Sequence, residues 1–147
     1  MTFTRNSAPP APSSENNYPM PTAPHILIVD DEPNIVMSLE FLMRKSGYQV
    51  SIARNGTEAL EAIDHTAFDV VLLDIMMPDV DGYQVCRHLR QRPDRAATRV
   101  VMLSAKSKEA DVQKGYDAGA DLYLPKPFST RQLMEKVREL LPLASSS

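Results

Sequence analysis

Residues 70–82 read Val70-Val71-Leu72-Leu73-Asp74-Ile75-Met76-Met77-Pro78-Asp79-Val80-Asp81-Gly82. Four consecutive aliphatic residues describe a strand covered on both faces, because a strand with one wet face would alternate apolar and polar side chains. The Pro, Asp and Gly that follow are turn formers, so Asp74 is expected at the carboxyl end of that strand. The same signature occurs on either side of it. Ile26-Leu27-Ile28-Val29 runs into Asp30-Asp31-Glu32, Val100-Val101-Met102-Leu103 into Ser104, and Leu122-Tyr123-Leu124 into Lys126. A more polar run, Val50-Ser51-Ile52, suits a sheet edge.

Between these runs apolar residues recur with helical period: Ile35, Leu39 and Leu42 up to Gly47; Ala59, Leu60 and Ile63; Val85, Cys86 and Leu89; Ala110, Val112 and Tyr116; and Leu133, Val137 and Leu140. Ser129 and Gln132 have the spacing of a capping box before the last of these helices. Five strand–helix units in this length cannot close an eight-stranded barrel. A doubly wound five-stranded parallel α/β sheet is therefore expected, with chemistry in a crevice at the strands' carboxyl ends.

Six of the twelve prolines fall within residues 1–24, which hold almost no aliphatic side chains, so this segment is expected to be a disordered Pro-rich tail. Residues 25–142 form the expected domain and 143–147 a flexible end. With 16 basic and 19 acidic residues there is no positive surplus to draw nucleic acid or anionic lipid, and direct nucleic-acid binding is not expected. No apolar run approaches the roughly 20 residues of a membrane span. A single cysteine, Cys86, rules out an intramolecular disulfide and fits a reducing, cytoplasmic setting.

Three carboxylates, Asp30, Asp31 and Asp74, converge from two strand ends in such a sheet and would repel one another unless a cation neutralises them. Clustered hard oxygens suit Mg²⁺. Lys126 brings a positive point charge and Ser104 a hydroxyl donor, both suited to phosphoryl oxygens. Together these parts describe phosphoryl transfer to a carboxylate.

The segments HILIVDDEP, VVLLDIMMPDVDG, VVMLSA and GADLYLPKPF closely resemble the receiver domain of two-component response regulators, in the right order and at familiar spacings. The resemblance implies a flavodoxin-like (βα)5 fold with strand order 2-1-3-4-5. It also implies that Asp74 is the phosphoacceptor. Asp31, Asp74 and the Met76 backbone carbonyl would ligate Mg²⁺, with Asp30 acting through water. Lys126 would bind one phosphoryl oxygen and Ser104 another, Tyr123 would be the aromatic partner of the Ser104 switch, and the Lys126–Pro127 bond would be cis.

The implied phosphodonor is a sensor histidine kinase or a histidine phosphotransfer protein. The implied output is phosphorylation-dependent contact with a downstream protein, or self-dimerisation, through the face of the fourth helix, last strand and last helix. The chain is expected to be a signalling switch that takes part in its own phosphorylation and dephosphorylation rather than an enzyme. Nothing after Pro142 reads as an output domain, so the likeness is to a single receiver of the chemotaxis kind, acting by direct contact or as a piece of a longer chain.

Two rivals fit less well. A haloacid-dehalogenase-like phosphatase needs a second acid two residues after the nucleophile, where Met76 stands. A nucleotide-binding module needs a glycine-rich phosphate cradle, and the five glycines form none.

Overall fold

The computed structural model describes residues 23–141. The expected tail, apart from Ala23 and Pro24, and the expected flexible end lie outside the described residues. Those two tail residues pair with the sheet. The Pro24 carbonyl accepts from the Gln49 N–H at 2.8 Å, and the Ala23 carbonyl from the Gln49 side chain at 2.9 Å.

Strands and helices alternate as β1 (His25–Val29), α1 (Pro33–Lys45), β2 (Gln49–Ala53), α2 (Gly56–His65), β3 (Val70–Asp74), α3 (Gly82–Arg90), β4 (Arg99–Ser104), α4 (Glu109–Asp117), β5 (Leu122–Pro125) and α5 (Thr130–Leu140). The five strands are parallel in the order β2-β1-β3-β4-β5. This is the flavodoxin-like sheet that the resemblance implies, with the polar second strand at an edge.

Alternate residues of each central strand feed two separate cores. Ile26, Ile28, Val70, Leu72, Val101 and Leu103 meet Val36, Leu39 and Met43 of α1 and Leu133 and Val137 of α5. Leu27, Val29, Val71, Leu73, Val100 and Met102 meet Ala59 and Ile63 of α2 and Val85, Cys86 and Leu89 of α3. Because successive side chains on a strand point to opposite faces, an unbroken aliphatic run is what this double burial requires. Pro33 opens α1, where its missing N–H costs no helical bond. Gly47 ends the helical segment at φ +91°, a conformation that side chains resist.

Two local expectations are corrected. In α4 the residues of the apolar pattern are not the buried ones: Ala110 and Tyr116 are exposed, Val112 is half-buried, and Gly115 is the one buried residue of the helix. A Cβ on Gly115 would lie 2.7 Å from Tyr123 Cδ2 and 3.0 Å from Met102 Sδ, so the backbone itself packs on β4 and β5. At α5 the Ser129 hydroxyl accepts from the Gln132 N–H, but the reciprocal half of a capping box is not formed; both halves occur instead at Asp81 and Gln84, where α3 begins. Leu140 is only partly buried against the α5 core.

Candidate functional site

The strand register brings the expected residues to one end of the sheet. Asp30 follows β1 directly, Asp74 closes β3, Ser104 closes β4 and Lys126 follows β5. One oxygen from each of the Asp30, Asp31 and Asp74 carboxylates lies within 4.8 Å of the others. Asp30 and Asp74 are buried, at 1% and 5% exposure, while Asp31 reaches into solvent.

Lys126 closes the crevice from the far strand. Its Nζ lies 3.1 Å from Asp30 Oδ2, 3.4 Å from Glu32 Oε1 and 3.6 Å from Asp74 Oδ1. The Lys126 N–H donates to the Ser104 carbonyl at 2.8 Å, and the Lys126–Pro127 peptide bond is cis. Asp30 also accepts from the Glu32 N–H at 2.9 Å, which ties its carboxylate to the start of α1.

Three carboxylates, Asp30, Glu32 and Asp74, thus share one ammonium, with Asp31 beside them, and the titration directions follow. Burial, then the Asp30 charge, push the Asp74 carboxyl up to about 6; Lys126 opposes this, Asp31 adds to it, and the Met76 backbone amide lowers it slightly. For Lys126, burial disfavours the charge, but Asp74, Asp30 and Glu32 together hold its pKa above the ordinary lysine value. Lysine sees mostly opposite charge, whereas Asp74 sees more like charge than opposite.

Asp31, Glu32, Asp74, Met76, Ala105 and Lys126 line a cavity of about 330 Å³, far more than one water occupies. Hard oxygen donors, two of them buried and short of positive charge, fit Mg²⁺. The Asp30, Asp31 and Asp74 carboxylates could hold it, and the resemblance adds the Met76 carbonyl.

Ser104 is fully buried, and its hydroxyl accepts from the Lys106 N–H at 3.0 Å. Tyr123 lies inward at 6% exposure, and its hydroxyl donates to the Lys106 carbonyl at 2.6 Å. The two expected switch residues therefore meet at the main chain of Lys106, a point that sequence reasoning did not single out, because backbone partners leave no mark on residue type.

Two further features were missed. The Tyr83 hydroxyl donates to the Asp111 carbonyl of α4 at 3.1 Å. The Asp79 carboxylate, read from sequence only as part of a turn, accepts from the first turn of α2. The Asn55-Gly56-Thr57 helix start, with its small residue at the contact, was the available signal.

Comparison with known proteins agrees with this geometry. Transcriptional regulatory protein ResD of Bacillus subtilis (strain 168) is 41% identical over 122 residues, 83% of this chain and 50% of that protein. Alkaline phosphatase synthesis transcriptional regulatory protein PhoP of the same organism is 41% identical over 116 residues, 79% of this chain and 48% of that protein. The chain spans about half the length of these curated relatives. Response regulator protein TrrA from Thermotoga maritima, solved in complex with Mg²⁺–BeF, superposes with a TM-score of 0.71 at 37% identity, covering 80% of this chain and 99% of that one. Among the described residues no helix is long and apolar enough to cross a membrane. The model of the response regulator receiver domain matches residues 26–138, from the first strand into the last helix, so the likeness takes in the sheet, the acidic crevice and Lys126 alike, and the chain belongs to the response regulator receiver domain family.

Proposed function

We propose that Asp74 accepts a phosphoryl group from the phosphohistidine of a sensor histidine kinase or histidine phosphotransfer protein, and that this modification switches the binding of a downstream protein. The observation that carries the reading is the meeting of Asp30, Asp31 and Asp74 oxygens within 4.8 Å, with Lys126 Nζ 3.1 Å from Asp30 and 3.6 Å from Asp74. Mg²⁺, when bound, would neutralise these carboxylates and the incoming phosphoryl oxygens.

Asp74 is the nucleophile because it is the buried carboxylate at the centre of the sheet and opens onto the cavity. Its carboxylate forms the new P–O bond as the donor's P–N bond breaks. Lys126 moves its ammonium from carboxylate to phosphoryl oxygen without leaving the crevice. Ser104 exchanges the Lys106 N–H for a phosphoryl acceptor, donating its own proton. Met76 stands two residues after Asp74, where a haloacid-dehalogenase-like phosphatase has the acid that protonates the leaving group, so the chain is a switch that shares in its own chemistry rather than a phosphatase of small esters.

Met37 and Phe41, exposed at 68% and 65% on α1, the helix that starts after Asp30, Asp31 and Glu32, would offer the donor an apolar surface. The α4, β5 and α5 face would carry the output to a protein target or a second copy, in a cytoplasmic setting and without direct contact to nucleic acid. The test is intact-mass analysis after acetyl phosphate with and without Mg²⁺. One adduct on the wild type, lost in Asp74→Asn and without Mg²⁺, is expected; equal adduct on Asp74→Asn would refute the assignment. Lys126→Arg should still be modified but bind its partner differently, since a planar guanidinium does not replace a compact ammonium.

A further inference from the structure

The loop between β3 and α3 carries Met76, yet its main chain has little to hold it. Among the described residues, Met76 to Val80 make no backbone-to-backbone hydrogen bond; the nearest one joins the Gly82 N–H to the Ile75 carbonyl at 2.9 Å. The loop is seated instead on the first turn of α2. Asp79 Oδ1 accepts from the Gly56 N–H at 3.0 Å, and Oδ2 accepts from the Thr57 N–H at 3.0 Å and from the Thr57 hydroxyl at 2.6 Å. Beside this clasp the Val80 carbonyl packs on Gly56 so closely that a Cβ there would lie 2.2 Å from it.

A carboxylate on a helix's first turn is usually just a cap. Here α2 already has one, because the Asn55 side chain accepts from the Glu58 N–H at 2.8 Å. The clasp therefore acts on the other partner, the loop. Three residues back along it, the Met76 amide acts on the Asp74 carboxylate, and the Met76 side chain lines the cavity.

We propose that Asp79 is a positioning residue for the phosphoryl-transfer site, fixing the Met76 main chain at the distance from Asp74 that cation binding needs. This rests on the reading of Asp74 and the Met76 carbonyl as Mg²⁺ ligands. Loss of an outer partner of a metal site typically weakens the metal roughly 10-fold or more.

The test compares Asp79→Ala with Asn55→Ala in the full chain, since both remove a cap from α2 but only the first releases the loop. Thermal midpoint, Mg²⁺ affinity by calorimetry and amide exchange at Met76 and Met77 in metal-free protein are measured for each. Both variants should melt lower. Asp79→Ala alone should exchange faster at Met76 and Met77 and bind Mg²⁺ about 10-fold more weakly. Thr57→Val, which keeps both N–H donors, should shift the same readouts less and serves if Asp79→Ala does not fold. Parallel behaviour of Asp79→Ala and Asn55→Ala, or unchanged exchange and affinity in Asp79→Ala, would overturn the proposal. A wild type without Mg²⁺ heat would instead remove the reading of the site, while the exchange data would still decide whether Asp79 holds the loop.

Discussion

The Tyr123 hydroxyl donates to the Lys106 carbonyl at 2.6 Å, on the same residue whose N–H is bonded by Ser104 Oγ. The turn after β4 is thus gripped on both sides of one residue, through the peptide unit before Lys106 and the one after it. When Ser104 turns to a phosphoryl oxygen, the Lys106 N–H loses its acceptor while its carbonyl stays fixed. Amide exchange at Lys106 should therefore quicken in the presence of beryllofluoride and Mg²⁺. In Tyr123→Phe the turn should loosen even without them, with about 1 kcal/mol of stability lost in urea titration. Tyr123→Ala should reduce the coupling between phosphorylation and partner binding, a quantity of about 1–3 kcal/mol in such switches. Unchanged coupling in that variant would remove Tyr123 from the route.

Met76 lines the site with a side chain that is 57% exposed and has no group to orient an attacking water. The phosphorylated form should accordingly be long-lived. Replacing Met76 with Asn or Glu should hasten loss of phosphate by roughly tenfold, followed by intact mass against time. Equal or slower decay would contradict the reading.

Asp74 should make the metal-free protein weaker at neutral pH. Its carboxyl titrates at about 6 when folded, against 3.8 when free, so the unfolded chain gives up the proton first. Stability then falls as pH rises from about 4 to 6, and the deficit persists above that. Asp74→Asn should raise metal-free stability at pH 7 by about 2 kcal/mol, less than full burial would give because the crevice is open to water. Melting curves at pH 4 and 7, in chelator and in Mg²⁺, check this: the gain should shrink at pH 4 and in Mg²⁺.

Gly115→Ala should destabilise the fold despite alanine's higher helix propensity. Its Cβ would meet the Tyr123 ring at 2.7 Å, so α4 must lift or the ring must turn. A loss of about 1–3 kcal/mol is expected from denaturant titration. Tyrosine absorbance should shift with it if the ring is what moves.

Asp30, Asp31, Asp74 and Lys126 were legible in the sequence because each stands at the end of an aliphatic run, and parallel topology does the rest. The clasps were not. Ser104 and Tyr123 bond the main-chain N–H and carbonyl of Lys106, whose side chain is irrelevant to either bond. The face of α4 was misread because Ala110, Val112 and Tyr116 supply an apolar rhythm, while the contact is made by Gly115, whose missing side chain contributes nothing to a hydropathy pattern. Ser129 and Gln132 had the same spacing as Asp81 and Gln84, but spacing alone does not tell whether the glutamine reaches back.

A helix whose one fully buried residue is a glycine, with Val112 half-buried beside it, leaves its solvent-facing positions under weak internal constraint. Along the solvent-facing side of α4, charge, size and polarity can drift over many generations with small effect on folding, provided Gly115, Val112 and Tyr116 stay. Selection for a new binding partner can then act on that face while the crevice at the far end of the strands is kept, so that one chemistry can be inherited by lineages that answer to different targets.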